Sequence, residues 1–322
     1  MFPNNYYKGV LPLINGKLTD KKHNELDFVN VSSNQDYKLF LDPTKLYSQH
    51  LHPIFKDGVQ KLHSFLLEVY RVYMEEGESE VRKLLRYSSE CNLIHLGYSS
   101  KDSKGTGASE EMLFDFFKKI IEFGTKEREI LLHPASIAIF VPKFAEDRTS
   151  DLLVSILKQE IVKYTLEQAT IHNFDVEKTE YNFGYYWDLG SLSWKKIKKY
   201  YVASEQGKPI LLVPKCLVSQ KYKFSTADFV KKIVFPIKKE SERYQGINGF
   251  YKNGAPKPAT QKQLIDGEIR SPYSNRPNKW KTYAMDQLMK NHNWYSEYFQ
   301  NMNEFADNHI IPDEELDRIT NS

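Results

Sequence analysis

The 322-residue chain is 40% hydrophobic and 27% charged, which is typical of a folded globular protein and excludes a fibrous or disordered one. No apolar run approaches the about 20 residues that span a bilayer, and the N-terminal segment lacks secretory-signal features. We therefore expect a cytoplasmic protein with no membrane partner. Cys91 and Cys216 are too few for a disulfide framework and too isolated for a zinc site, so both are expected to be buried and reduced.

The small net charge of +3 conceals an uneven distribution along the chain. Residues 191–290 contain 21 Lys and Arg against 7 Asp and Glu, a net charge of +14. The remainder carries a net charge of −11, and its last 32 residues contain 7 acids and 1 Arg. A basic third inside an acidic remainder predicts a surface that faces a polyanion such as nucleic acid. A solvated lysine-rich face without a partner is the alternative.

Hydrophobic periodicity divides the first half of the chain into short strands and helices. Residues 1–50 have the pattern of short strands and turns. Apolar residues at helical spacing predict four helices, at residues 53–76, 78–90, 110–123 and 149–170. Two short apolar runs, "CNLIHLGYS" from residue 91 and "SIAIFV" from residue 136, predict buried strands.

The second half begins with a β-rich region at residues 180–220 and continues with a helix over "STADFVKKIVFPI", for which Ser225 or Thr226 is the predicted N-cap. Residues 241–280 predict loops around one short helix, and a helix at 281–305 precedes an acidic tail. Strands and helices that interleave without strict alternation predict an α/β or α+β fold, with a mixed central sheet flanked by helices. We expect a core at 1–240 and a small basic, helical C-terminal unit at 241–322.

The stretch "FVPKFAEDRTSDLL", residues 140–153, crowds charge between a predicted buried strand and a predicted buried helix. On a helix, Asp147 and Asp151 would share one face, with Cβ atoms about 5–6 Å apart. Two carboxylates so placed suit Mg²⁺, which proteins typically hold together with substrate phosphates. The guanidinium of Arg148 suits a phosphate. The alternative is a charged helix start, stabilised by the helix dipole, with Arg148 paired internally.

A second candidate is the segment "GYSSKDSKGTGASEE", residues 97–111, between a predicted strand and a predicted helix. Lys104, Gly105 and Gly107 could bind a phosphate there, because backbone N–H groups at such a junction form an anion site. The spacing does not match a P-loop or a dinucleotide fingerprint. A flexible surface loop is the alternative.

Two isolated residues complete the candidate catalytic set. Asp42, in "LFLDP", is a possible third carboxylate for the metal, although an Asp before Pro43 is also a common turn former. Lys215, at the end of "PILLVPK", could contact the scissile phosphate, or its ammonium could simply reach solvent. Carboxylates, a metal and a strand-borne lysine are the components of metal-dependent phosphodiester hydrolysis.

The basic third interleaves cations with aromatic rings in "WKKIKKYY", "KYKF" and "RPNKWKTY". Lysines neutralise phosphates and aromatic rings stack on unpaired bases, so the pattern predicts a nucleic-acid contact. In "WKKIKKYY" no regular pattern buries all four lysines, so at least two are expected to face outward. A solvated β-surface is the alternative. The candidate phosphate-binding lysines of this segment are Lys195, Lys196, Lys198 and Lys199.

The succession of "GYS…KGTG", "FVPxFxEDRxSDLL", "FGYYWD" and "LLVPK" resembles an uncharacterised family of bacterial proteins associated with mobile elements and anti-phage defence. The resemblance covers roughly residues 35–300 and implies a context rather than an activity. The full nuclease pattern of an Asp followed by Glu-x-Lys on the next strand is absent.

We therefore predict a nucleic-acid-acting defence effector, an Mg²⁺-dependent nuclease in which Asp147 and Asp151 hold the metal and Arg148 and Lys215 contact the phosphate. One alternative is a non-catalytic defence subunit that binds DNA or a protein partner encoded in the same operon. Another is an enzyme that acts on the phosphates of a nucleotide.

Overall fold

The computed structural model describes residues 16–87, 91–97, 146–291, 293–300 and 302–321, together with the single positions 114, 118, 136 and 139. Within this part of the chain helices predominate over short strands, so the fold is α+β, as the sequence predicts. The strands described form three two-stranded antiparallel sheets, with helices packed around them. None of the helices described is both long and apolar enough to cross a membrane.

Four helices are described with their bounds in the part of the chain before residue 181. They are α1 (Gly58–Glu75), α2 (Glu78–Leu85), α3 (Glu146–Ile156) and α4 (Lys158–His172). The apolar stripe that predicts α1 is buried in the core, and the break at Leu157 divides the predicted helix 149–170 into α3 and α4. Short 3-10 turns connect these helices with the strands, at His23–Glu25, Pro43–Tyr47, Pro53–Phe55, Asn92–Ile94 and Lys215–Leu217.

The largest sheet is the hairpin of β2 (Tyr181–Asp188) and β3 (Ser193–Lys199), in which Trp187 pairs with Trp194. The indole of Trp187 is fully buried and donates to Ser64 Oγ at 2.9 Å, which fixes the hairpin on α1. Two smaller sheets pair two-residue strands: β1 (Phe40–Leu41) with β6 (Val218–Ser219), and β4 (Val202–Ala203) with β5 (Pro209–Ile210).

The C-terminal part consists of short helices. They are α5 (Thr226–Phe229), α6 (Phe235–Lys239), α7 (Gln261–Leu264), α8 (Lys279–Lys290), α9 (Asn293–Phe299), α10 (Met302–Asp307) and α11 (Asp313–Thr320). The π-helical segments Val230–Val234 and Ile265–Arg270 continue α5 and α7. Ser225 Oγ accepts from Asp228 N at 3.3 Å, which confirms the predicted N-cap. The predicted helix 281–305 is divided among α8, α9 and α10.

The acidic tail packs back onto the first residues of the core. Asp317 Oδ1 lies 2.6 Å from His23 Nδ1, and Lys45 Nζ donates to the Ala306 carbonyl at 2.8 Å. The division at residue 240 stays a prediction, and these contacts show that the end of the chain covers residues of the predicted N-terminal core.

Two predicted strands differ from the expectation where the structure describes them: one is helical, and the other combines a 3-10 turn with an isolated β-bridge between Leu96 and Tyr37. Ser136 and Ile139, within "SIAIFV", are helical, and "CNLIHLGYS" contains the 3-10 turn Asn92–Ile94. In "PILLVPK" only Pro209–Ile210 is a strand, and Lys215 opens a 3-10 turn instead of ending a strand. Ser136, Ile139, Cys91 and Ile94 are buried, but a short apolar run does not distinguish a strand from one buried helical turn.

Candidate functional site

Tyr222 joins β1 to the start of α3, the helix that carries Asp147 and Asp151. It is almost fully buried, and its hydroxyl donates to the Leu41 carbonyl of β1 and lies 3.1 Å from the Glu146 carbonyl oxygen. Burial raises the pKa of Tyr222 well above its ordinary value, so the hydroxyl stays protonated. Nearby negative charges raise this pKa further; they are those of Asp42, Glu146, Asp151 and Asp147.

The start of α3 is anchored to β1 on its inner side. The buried hydroxyl of Ser150 accepts from Leu41 N at 3.0 Å. With this face fixed, Asp147, Arg148 and Asp151 are half-buried instead of open to solvent. The predicted site and a helix start with locally paired charges would both bury these residues in part, so the role of Asp147, Arg148 and Asp151 stays a prediction.

The carboxylate of Asp147 lies against Gly97. A Cβ atom added at Gly97 would lie 2.8 Å from Asp147 Oδ1, and the backbone φ of +131° at Gly97 also disfavours a side chain. Gly97 N donates to the Tyr37 carbonyl at 2.9 Å, which fixes this approach. Gly97 is the first residue of "GYS…KGTG", so the structure brings the start of that motif to the charged turn.

A cavity of about 390 Å³ opens next to Tyr222. Trp280 and Phe224 form apolar parts of its wall, and Glu146 and Lys281 supply opposite charges. Burial lowers the pKa of Lys281 to about 8, and the negative charge of Glu146 partly opposes this shift. A lysine with a perturbed pKa inside a cavity is a frequent feature of functional sites.

Asp42 belongs to the same region but is engaged in local hydrogen bonds. Its Oδ1 accepts from Thr44 N at 2.9 Å and from Thr44 Oγ1 at 2.7 Å, and its Oδ2 accepts from Ser219 Oγ at 2.8 Å. Burial raises its pKa above the ordinary value. These contacts make Asp42 the N-cap of the 3-10 turn Pro43–Tyr47, so they favour the turn-forming interpretation over metal ligation.

Lys215 contacts the N-terminal segment and α11 and does not line the cavity beside Tyr222. Its Nζ donates to the His23 carbonyl and to Asp313 Oδ1, the latter at 2.7 Å. Both contacts hold α11 against the N-terminal segment. The expected role of Lys215 beside Asp147 and Asp151 receives no support from this arrangement, and Lys281 is the lysine that lines the cavity beside Tyr222.

All four predicted lysines of β3 are exposed, which confirms the expectation that at least two face outward. Lys195 Nζ lies 2.7 Å from Asp188 Oδ2, and this contact is the main cause that lowers the pKa of Asp188 to about 2. The ammonium of Lys196 lies 5.7 Å from the ring centroid of Tyr185. The ring beside these lysines belongs to Tyr185 of β2, whereas Trp194 of "WKKIKKYY" packs against Phe65 and Trp187 in the core, as the alternative of a solvated β-surface expects.

Two further predictions concern phosphate and metal. Lys104, Gly105 and Gly107 lie outside the described residues. In the part of the chain that the structure describes, no group of three or more His, Cys, Asp or Glu side chains is arranged to hold a metal ion.

The sequence did not assign roles to Tyr222 and Lys281. Both lie in segments singled out for their cations and rings, "KYKF" and "RPNKWKTY". The composition of these segments could therefore have drawn attention to both residues. Their proximity to Glu146 could not be predicted, because it depends on contacts between distant parts of the chain.

Comparison with known proteins places the chain in a family without assigning it an activity. The family model described as "Domain of unknown function (DUF8370)" matches residues 17–225, about two thirds of the chain. The chain therefore belongs to this family. No curated protein and no solved structure matched it.

Proposed function

We propose that the chain is a cytoplasmic, nucleic-acid-acting effector of bacterial defence that hydrolyses phosphodiester bonds with the help of Mg²⁺. The observation that carries this proposal is the half-buried start of α3, where Tyr222 contacts the Glu146 carbonyl and Asp147 lies against Gly97, next to the cavity that contains Lys281. The defence context follows from the motif resemblance, and the chemistry follows from the residues.

The carboxylates and the lysine have complementary tasks. Asp147 and Asp151 would hold the cation, which when bound would lower the pKa of an attacking water. Lys281 would neutralise charge on the phosphate, because at neutral pH a lysine whose pKa is about 8 is still mostly protonated. Tyr222, whose raised pKa keeps it protonated, would remain a neutral structural donor between β1 and α3.

The cavity wall suits a nucleotide unit. Trp280 and Phe224 offer apolar surface for a base or sugar, and Lys221 adds a second cation at the same wall. Aromatic rings combined with cations are the usual means by which proteins hold unpaired nucleotides.

The test is degradation of plasmid DNA, single-stranded DNA and RNA by the purified chain with Mg²⁺ and then with EDTA. D151N and D147N should abolish degradation while thermal unfolding stays close to wild type. D188N is the matched control, because Asp188 is an acid on the hairpin whose side chain pairs with Lys195. Parallel loss of folding and activity would support a structural cap, and hydrolysis of free nucleotides alone would favour the nucleotide enzyme.

A second candidate is a non-catalytic subunit that binds nucleic acid or an operon-encoded protein through the hairpin. The four exposed lysines of β3 and the ring of Tyr185 favour it. Salt-sensitive binding without cleavage under any metal condition would select this candidate.

A further inference from the structure

The turn at residues 249–257 presents two aromatic side chains to solvent. Phe250 is 62% exposed and Tyr251 is 52% exposed. Among the large hydrophobic side chains that the structure describes, none is more exposed than Phe250. Two adjacent exposed rings on a surface turn indicate a contact with a partner.

Backbone hydrogen bonds hold this turn in one conformation. Tyr251 N donates to the Ala255 carbonyl at 2.8 Å, and Lys257 N donates to the Gly249 carbonyl at 2.9 Å. At the base of the turn, Asn248 Nδ2 donates to the Pro258 carbonyl at 2.8 Å. The rings are thus displayed by an ordered segment, which reduces the entropy lost when they bind.

Gly246 provides the support beneath one ring. A Cβ atom at Gly246 would lie 2.8 Å from Phe250 Cζ, so the ring packs against the glycine and leaves its remaining surface free. Packing on one side and exposure on the other give Phe250 a defined orientation. An oriented ring with open surface suits stacking on a flat partner.

The turn also carries two lysines. Lys252 and Lys257 are exposed, and the ammonium of Lys257 lies 5.9 Å from the ring centroid of Tyr251. A partner that meets this turn must therefore have flat apolar faces and negative charge.

We propose that the 249–257 turn is a stacking platform for single-stranded nucleic acid, with Phe250 and Tyr251 on unpaired bases and Lys252 and Lys257 on the backbone. The proposal deepens the proposed function, on which it rests, by naming the strand form that is bound. An anionic membrane is the alternative occupant, and vesicles of anionic lipid are included in the test to distinguish it.

The experiment measures fluorescence anisotropy of labelled oligothymidylate and of a labelled duplex with the full chain. F250A/Y251A should lower affinity for oligothymidylate about tenfold or more, because stacking on aromatic rings is a main source of single-strand affinity. Duplex affinity should change little, since paired bases are not free to stack. F250W/Y251W should retain binding, and K252Q/K257Q should reduce the salt slope by about 1.4, at about 0.7 per phosphate contact.

The control is M74A/I171A, which removes two side chains that are each 57% exposed from other helices. Because Phe250 packs on Gly246, Y251A alone tests the turn without disturbing that contact, and thermal unfolding is recorded for every variant. Equal oligothymidylate binding by wild type and F250A/Y251A would overturn the inference while leaving the proposed function intact. Wild-type protein that binds neither strand form would overturn both, and so would binding only to anionic vesicles.

Discussion

Asp147 Oδ1 lies 2.8 Å from the position that a Cβ atom on Gly97 would take. This contact joins the residue that opens "GYS…KGTG" to the charged turn at the start of α3. A side chain at Gly97 would have to displace the carboxylate, so the glycine is needed for the shape of the site as well as for its backbone conformation.

The contact between Gly97 and Asp147 predicts that a side chain at position 97 lowers activity as well as stability. G97A should destabilise the protein by about 1–3 kcal/mol through its positive φ, and it should also reduce activity by displacing Asp147. G77A is the matched control, because Gly77 has a φ of +91° but nothing within 4 Å of its Cβ position. Urea unfolding and the cleavage assay check the pair. Equal activity of the two variants would show that the contact does not position Asp147.

Because of Lys281, the free energy of unfolding should increase as the pH rises into the alkaline range. Its pKa is lowered from 10.5 to about 8, so between these values the folded state binds fewer protons than the unfolded state. The free energy of unfolding contributed by this group therefore increases from pH 8 to 10.5, and K281M should remove that increase. K279M, on the same cavity wall, keeps Lys281 and should keep the increase. Chemical unfolding at several pH values measures both.

His23 should make the protein less stable in acid. The buried imidazole accepts from Asn30 N at Nε2, 3.0 Å, and its Nδ1 lies 2.6 Å from Asp317 Oδ1. Burial lowers its pKa below 6.5, although Asp317 opposes the shift. The unfolded state then binds more protons as pH falls through 6.5, so stability present above this value is lost below it.

The variant H23N should flatten the pH dependence of unfolding in this range. H309N is the control, because His309 is exposed and its Nδ1 lies 2.8 Å from the Phe305 carbonyl oxygen. Thermal unfolding from pH 7 to pH 5 provides the measurement. If the dependence of the unfolding temperature on pH is unchanged in H23N but reduced in H309N, His23 is not the source of the acid instability.

A buried ion pair should make α1 and α4 strongly interdependent. Lys61 Nζ and Glu160 Oε1 are 2.7 Å apart, and both side chains are at most 10% exposed. K61M alone leaves a buried charge without its partner and should cost about 3–5 kcal/mol. K61M/E160M should recover most of this loss, because apolar pairs often replace buried ion pairs at little cost. If K61M/E160M unfolds at the same urea concentration as K61M, the unpaired charge of Glu160 is not the cause of the lost stability.

Local patterns account for the parts of the fold that the sequence predicted. The apolar stripe of Leu62, Phe65 and Leu66 repeats at helical spacing, so α1 could be placed without knowing its neighbours. The run containing Ser136 and Ile139 carries no such period, and burial alone did not reveal that these positions are helical. The break at Leu157 depends on how α3 and α4 pack, which no local pattern records.

For the candidate site too, local sequence predicts some residues and only the folded chain reveals the others. Asp147 and Asp151 stand four residues apart in one motif, so their shared face follows from helix geometry. Tyr222 lies 76 residues beyond Glu146, and only the folded chain brings its hydroxyl to that carbonyl. Lys215 and Asp42 looked suitable by residue type, but the structure gives them partners in Asp313 and Thr44.

The exposed lysines of β3 should bind nucleic-acid backbone weakly and without sequence preference. An ammonium is a point charge without bidentate geometry, so it contacts phosphates rather than reading bases. Replacing Lys195, Lys196, Lys198 and Lys199 together by Gln should weaken binding. It should also flatten the salt dependence by up to four times the slope of roughly −0.9 per contact on duplex DNA.

The matched control for the hairpin variant replaces four exposed lysines on other segments by Gln and so removes the same charge. These lysines are Lys56, Lys83, Lys178 and Lys290. Fluorescence anisotropy with labelled single- and double-stranded oligonucleotides across a salt series compares the two variants. Lys195 is expected to contribute least, because Asp188 already pairs with it at 2.7 Å. If both four-fold variants lose the same affinity, only the net charge matters. Specific loss in the hairpin variant would place backbone contacts on β3, and no wild-type binding at low salt would leave protein binding as the leading function.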